Sequence, residues 1–293
     1  MGLITTIQNK TEQVRAKERI RPLLESRMMR DILLEIGQRG TEKLDPQSVP
    51  LEQRPLATKR AAECGTAGLQ QSVIREVLLD ETGIILYAGT GEVSLHLSAR
   101  AADEAACEAR MAPLLAEVRR RLGSYLYGTD VSGLEETALH LCQARGLTLS
   151  AAESCTGGLI AKRLTDIPGA SQTFLGGVVS YTNTVKQHVL GVPASLLETY
   201  GAVSAPVARA MSMGVRVLTG SDLALSVTGL AGPAGDDHGT PVGTVFTALS
   251  TPQGVFVRQL ALGGDRERIR ALSAHHALDL LRRYLTDQMT GGE

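Results

Sequence analysis

The first segment that could carry chemistry is LTLSAAESCTGGLIAKRL. An apolar run passes through small residues into a glycine-opened helical pattern, so Ser154 falls at a sharp strand-to-helix junction. In that reading the main-chain N–H groups of Cys155, Thr156 and Gly157 lie at a helix start. Donors there lack intrahelical partners, and an oxyanion or a phosphate is favoured. A serine at such a place is either a nucleophile or an N-cap. Cys155 beside it is either a thiol activated by the helix end or a small core residue.

The second segment, VVSYTNTVKQHVLGV, ends a buried strand at Tyr181 and begins a helix that carries Lys186. A lysine acts as a general base only where its neutral form is favoured. Burial beside Val185 and Val189, with positive potential from the helix N-terminus, would favour it, and the Tyr181 hydroxyl could then relay the proton. The alternative is a core tyrosine and a solvated lysine. The third segment, SVTGLAGPAGDDHGTPVGTV, is Gly- and Pro-rich between two apolar runs. Gly229, Gly232 and Gly235 permit either an anion nest or an ordinary loop. Asp236, Asp237 and His238 are adjacent and cannot normally converge on one ion, so no metal site is expected. His188, His275 and His276 fall on helical patterns, outside any motif that would activate Ser154 or Cys155.

These segments need a scaffold, and its pattern after Asp130 alternates between strand and helix, which is the α/β signature. Helices are expected over Leu134 to Arg145, Gly157 to Asp166, from near Asn183, over Ala205 to Leu218 and over Arg266 to Leu285. Strands are expected over Leu147 to Ala151, Phe174 to Tyr181, Leu223 to Thr228, Gly243 to Ser250 and Val255 to Leu262. Before this region, ETGIILYAGTGEVSLHLSAR reads as a strand pair and Ala102 to Leu122 as a helix with a possible kink at Pro113. Asp103 and Glu104 in the first turn of that helix and Arg119, Arg120 and Arg121 in its last match the macrodipole. Further upstream, a helical pattern runs from Glu12 to Gly37, and Pro46, Pro50 and Pro55 mark an irregular linker over residues 41–60. The expected organisation is an N-terminal segment over 1–71, a small α+β module over 72–130 and an α/β domain over 131–287.

Composition narrows the function classes. Lys+Arg 30 against Asp+Glu 31 leaves a net charge of -1, so no field suggests a nucleic-acid or membrane partner. With no Trp and 3% aromatics, platforms for stacking single-stranded bases are scarce as well. Cys64, Cys107, Cys142 and Cys155 form no C-x-x-C pair, which fits a reducing, cytoplasmic setting. No apolar run approaches the roughly 18 residues of a membrane span, and the N-terminus carries no signal-peptide core.

Taken together, AESCTGGLIAKRLTDIPGAS, YTNTVK, GAVS, VTGLAGPAG, PVGTV and GDRERIR resemble the C-terminal domain of CinA, the nicotinamide-nucleotide amidase also called PncC. GEVSLHLSARA and LGSYLYGTD resemble the KH-like module that precedes that domain in full-length CinA. The resemblance implies a three-layer α/β/α sandwich preceded by a small α+β module. It implies an amidase that converts nicotinamide mononucleotide to nicotinate mononucleotide and ammonia; no metal or cofactor is expected, because no ligand cluster survives the spacing test and a serine route requires none. Its nucleophile falls on Ser154 and its proton-transfer partners on Lys186 and Tyr181. Thr156, Gly157, Gly158, Thr228, Gly229, Gly232, Gly243, Thr244 and Arg266 fall at substrate-binding positions, with N–H groups near Thr156 and Gly157 as oxyanion donors. A homodimer or larger homo-oligomer is expected. Residues 1 to about 70 lack the Gly- and Asp-bearing motifs of the family's molybdopterin-binding-like domain, so that domain is expected to be missing or replaced. The KH-like module has no G-x-x-G loop, and RNA binding is not expected. The alternative is a non-catalytic, competence- or damage-related binding or scaffold protein.

Overall fold

The computed structural model describes residues 77–79, 82–88, 91–99, 102–236 and 239–288. The helix expected over 12–37, the linker expected over 41–60, and Asp237 and His238 lie outside them. The chain divides into two units between Leu126 and Tyr127.

In the first unit, β1 (Val77–Leu79), β2 (Thr82–Ala88) and β3 (Val93–Ala99) form an antiparallel sheet in that order. The register is set by pairs such as Leu78↔Gly83 and Leu86↔Leu95. Helix α1 (Glu104–Leu122) starts where the Asp103 side chain accepts from the Ala106 N–H, and its last turn is closed by Gly123 at φ 51°. Cys107 and Met111, one helical turn apart, pack on Leu97 and Ala99, two residues apart on the strand.

The second unit holds α2 (Leu134–Ala144), β4 (Leu149–Glu153), α3 (Leu159–Thr165), β5 (Phe174–Val179), α4 (Asn183–His188), α5 (Ala194–Tyr200), α6 (Ala205–Thr219), β6 (Leu223–Gly229), β7 (Thr244–Thr251), β8 (Gly254–Ala261) and α7 (Arg266–Leu285). The sheet order is β5-β4-β6-β7-β8. The first three strands are parallel, and β7 and β8 are antiparallel additions. Alternation along the strands feeds two cores. Leu149, Ala151, Leu223, Leu225 and Val227 face α2, α3 and α7, whereas Ala152 and Ala224 face Val207, Met211 and Val215 of α6. This makes the expected three-layer α/β/α sandwich. On the α6 side β6 carries small residues, and the hydroxyls of Ser226 and Thr228 donate to the carbonyls of Ala208 (2.6 Å) and Ala202 (2.7 Å).

Two local differences from the sequence reading have simple causes. β4 begins at Leu149 because Leu147 still belongs to the turn that ends α2, where its N–H donates to Cys142 O at 3.0 Å. Helix α5 was not expected, since seven residues are too few to display a helical period.

The topology also fixes where a ligand can enter. From β4 the chain crosses through α3 on one face to β5, then returns through α4, α5 and α6 on the other face to β6. Connections leaving in opposite directions open a crevice beyond the carboxyl end of β4, the place where open α/β sheets bind ligands.

Candidate active site

Ser154 is the first residue after β4, and its N–H donates to Val227 O of the neighbouring strand at 2.9 Å. β4 alternation sends Glu153 toward α3 and leaves Ser154 on the other side, where α4 delivers Lys186. The Lys186 ammonium nitrogen donates to Ser154 Oγ at 3.1 Å and to Ser180 O at 2.8 Å. Ser180, just past β5, is itself held on Glu153 O through its N–H (2.8 Å) and hydroxyl (3.4 Å).

Lys186 is only 2% exposed. Its partners are neutral oxygens, and among the described residues it forms no ion pair with a carboxylate. Desolvation therefore pulls its pKa down to about 8, opposed by the nearby Cys155 thiol. Burial was one of the two expected causes; the helix N-terminus was the other, and it does not apply, because Lys186 sits in the last turn of the six-residue α4, and Val189 is 43% exposed. Burial in the crevice lowers the pKa. Cys155 is buried too, and desolvation pushes its thiol up to about 11, so it stays protonated near neutrality and is a weak nucleophile.

The turn that follows Ser154 has an almost closed account of main-chain hydrogen bonds. Gly157 N–H donates to Ser154 O at 3.1 Å and Leu159 N–H to Thr156 O at 3.3 Å. The Glu153 carboxylate, 1% exposed, accepts from the N–H groups of Gly158 (3.0 Å), Ile160 (3.0 Å) and Ala161 (2.8 Å), so the start of α3 is already capped. The carbonyls of Cys155 and Thr156 accept from Arg270 of α7. Two consecutive donors remain: among the described residues the Thr156 N–H bonds no other group, and the Cys155 N–H bonds nothing beyond its own side chain. The Thr156 hydroxyl, fully buried, has no partner among them either. The Gly157 amide, expected as an oxyanion donor, is instead engaged within the turn.

Tyr181 lies at the rim, 59% exposed, and its hydroxyl accepts from Arg266 Nη2 at 3.0 Å instead of bonding Ser154 or Lys186. Arg266 Nη1 also donates to Gly232 O at 2.6 Å, joining the start of α7 to the loop after β6. Several of the expected binding positions have packing reasons for their identity. A Cβ on Gly243 would lie 1.9 Å from Leu262 O, and one on Gly229 would lie 2.6 Å from the Val245 side chain. Thr228 ties the Ala202 carbonyl, Gly158 caps α3 at φ 92°, and Thr244 opens β7 half-buried. The imidazoles of His275 and His276 stack edge to face on α7, and burial holds His276 down to about 4. Glu153, Ser180 and Arg270 were not singled out from sequence. A carboxylate directly before a strand-to-helix turn is a readable capping signal, whereas Arg270 lies 115 residues from the carbonyl it reaches. No group of His, Cys, Asp and Glu among the described residues could hold a metal ion, and none of the described helices is long and apolar enough to cross a membrane.

Residues 131–285 match the CinA C-terminal domain, and residues 66–128 match the KH domain of the damage-inducible protein CinA. The chain belongs to the CinA family. It is 46% identical to a CinA-like protein of Desulfotalea psychrophila over 213 residues, which are 73% of this chain and 52% of the relative. It is 48% identical over 223 residues to a protein of Symbiobacterium thermophilum whose name places it among competence-damage inducible proteins, with 72% and 52% covered. The chain thus spans about half the length of the curated relatives it matches. Among solved structures it is similar to the competence damage-inducible protein A of Klebsiella pneumoniae, with 35% identity and a TM-score of 0.52 over 53% of this chain and 97% of that one. A competence/damage inducible protein of Agrobacterium tumefaciens gives 38% identity and a TM-score of 0.51 over 55% of this chain and 98% of that one. In this CinA-family chain the α/β domain carries the buried Ser154–Lys186 pair.

Proposed function

We propose that this chain is a serine-dependent amidase that hydrolyses the carboxamide of nicotinamide mononucleotide to nicotinate mononucleotide and ammonia. The observation that carries the reading is a buried lysine with no carboxylate partner among the described residues, 3.1 Å from a serine hydroxyl in the crevice of the sheet. Ser154 Oγ attacks the carboxamide carbon while the neutral Lys186 amine takes its proton. The oxyanion is received by the N–H groups of Cys155 and Thr156, which are preorganised donors beside the attacking atom. Lys186 then returns the proton to the leaving nitrogen, and ammonia departs. A water molecule deprotonated by the same amine attacks the acyl carbon, and nicotinate mononucleotide leaves as Ser154 recovers its proton. Arg266 occupies only a lone pair of the Tyr181 hydroxyl, which keeps a proton to donate at the rim. Arg266 and the glycine loops after β6 and before β7 complete the proposed binding surface for the nucleotide, with Thr228 buried beneath it. No cofactor enters this sequence of steps.

Wild-type protein incubated with nicotinamide mononucleotide is expected to release ammonia and nicotinate mononucleotide, and Ser154→Ala is expected to release neither above background. Equal release by both would remove Ser154 from the reaction. The relatives' names favour a second reading, a non-catalytic role in competence or the damage response. A folded wild type that turns over no nucleotide amide and yet binds a partner tightly would select it.

A further inference from the structure

Arg270 takes no part in the proton transfers above, yet it is the group that contacts the nucleophile turn from the far end of the sequence. Its Nε donates to Cys155 O at 3.0 Å and its Nη2 to Thr156 O at 2.8 Å, so one guanidinium spans two successive carbonyls. A trans peptide is planar, and its N–H points opposite to its C=O. Drawing the Cys155 carbonyl toward α7 therefore turns the Thr156 N–H to the other side. Drawing the Thr156 carbonyl the same way turns the Gly157 N–H onto Ser154 O, which in turn fixes the Cys155 N–H. Glu153 holds the other border of the turn by accepting from Gly158, Ile160 and Ala161. Position 157 suits this arrangement only as glycine: its φ is +59°, and a Cβ there would come within 3.1 Å of Arg270 Nη2.

We infer that Arg270 is a positioning residue that sets the two peptide planes after Ser154, so that the Cys155 and Thr156 N–H groups face the developing oxyanion. The inference rests on the acyl-transfer reading of Ser154. Its test uses a second reaction of that serine that does not depend on the natural amide. A fluorophosphonate phosphonylates an activated serine: the Ser154 Oγ–P bond forms, the P–F bond breaks, fluoride leaves and the serine proton passes to Lys186. The phosphoryl oxygen then occupies the place of the oxyanion.

Arg270→Lys keeps the charge and the methylenes, but a single ammonium nitrogen cannot fork across two carbonyls. In Arg270→Lys, both the phosphonylation rate and kcat on nicotinamide mononucleotide are expected to fall on the order of 10–100-fold, the scale of weakened oxyanion donors. KM should stay within about 2-fold and the pH midpoint of the rate should not move, because Lys186 is untouched. Free guanidinium ion at non-denaturing concentration should restore labelling to Arg270→Ala. Slowed labelling with no wild-type turnover on the mononucleotide would support the role of Arg270 while removing the amidase reading. Wild-type labelling and turnover in Arg270→Lys would overturn the inference. So would a moved pH midpoint, a fall confined to KM, or no response of Arg270→Ala to guanidinium.

Discussion

The two ends of the central parallel strands treat polar groups in opposite ways. At the amino end of β4 and β6, the Asp222 carboxylate accepts from the Thr148 N–H (2.8 Å) and hydroxyl (2.6 Å), and the Asp222 N–H donates back to the Thr148 hydroxyl (3.0 Å). Ser150 and Ser221 share a hydrogen bond of 2.8 Å, and Arg216 donates to the carbonyls of Asp222 and Thr251. Donors and acceptors there are matched. At the carboxyl end, Lys186 donates to neutral oxygens, and among the described residues the Thr156 hydroxyl has no partner and the Cys155 and Thr156 amides bond no other residue. Matched groups at one end contribute to holding the strands in register. Unmatched groups at the other cost stability and, in the proposed reaction, receive the oxyanion, which is the usual division between a scaffold and its site.

The largest effect that tests this contrast is on turnover. Removing either member of the pair, as in Ser154→Ala or Lys186→Met, is expected to lower kcat for ammonia release by about 10³-fold or more, the range for losing a nucleophile or a general base. Lys186→Arg should be nearly as inactive, since a guanidinium cannot give up its proton near neutral pH. Substantial activity in Lys186→Arg would show that positive charge, rather than base chemistry, is what the crevice supplies.

The next effect is a pH dependence. The reactive amine must be neutral and its pKa is pulled down to about 8, so kcat should rise roughly tenfold per pH unit below 8 and level off above it. A profile that stays level from pH 6 to 9 would remove Lys186 as the base. Stability follows with a definite sign. Below pH 8 the lysine is charged in both folded and unfolded chains, and the folded state bears the whole desolvation penalty. Between about 8 and 10.5 the unfolded chain binds more protons than the folded one, so stability rises with pH. Lys186→Met should accordingly be more stable than wild type at pH 7, by on the order of 1 kcal/mol. That advantage should shrink toward pH 10, as read by thermal unfolding at each pH.

The smallest effect belongs to the matched end. Thr148→Val removes one donor and one acceptor and is expected to destabilise by about 1–2 kcal/mol while leaving kcat within about 2-fold. The hydrogen bonds from the Thr148 side chain and N–H hold the Asp222 carboxyl below its ordinary value of 3.8. This contribution is present above the unfolded pKa and is lost as pH falls through the depressed folded value. The gap in unfolding temperature between wild type and Thr148→Val should therefore narrow below about pH 3.8. A gap that persists unchanged into acid would mean that the bond from the Asp222 N–H to the Thr148 hydroxyl, rather than the one to the carboxylate, carries the effect.

Much of the sandwich was legible because its central strands, buried on both faces, read as short runs of apolar and small residues, and its helices as longer stretches with a helical period. The segments LALSVTG and RERIRALSAHHALDLLRRYL form β6 and α7 with bounds within a residue of those read from sequence. Asp265, directly before α7, caps that helix by accepting from the Arg268 N–H at 2.7 Å. The site was legible only as residue types. Ser154, Lys186 and Tyr181 stood out in their segments, but an exposed tyrosine held by Arg266 and a buried lysine facing Ser154 have the same one-dimensional signature.

What the sequence by itself determined is therefore local: which stretches are strands and helices, where their caps and glycine turns fall, and which family these motifs resemble. What only the tertiary structure decided is which groups meet and which stay unpaired. Burial of Lys186 against Ser154 and Ser180 depends on α4 returning across β4. The bonds that hold the Cys155 and Thr156 carbonyls depend on Arg270 arriving from α7, 115 residues away from the Cys155 carbonyl. Hydrogen bonding and desolvation act over a few ångströms of space, and chain separation of that length carries no trace of them.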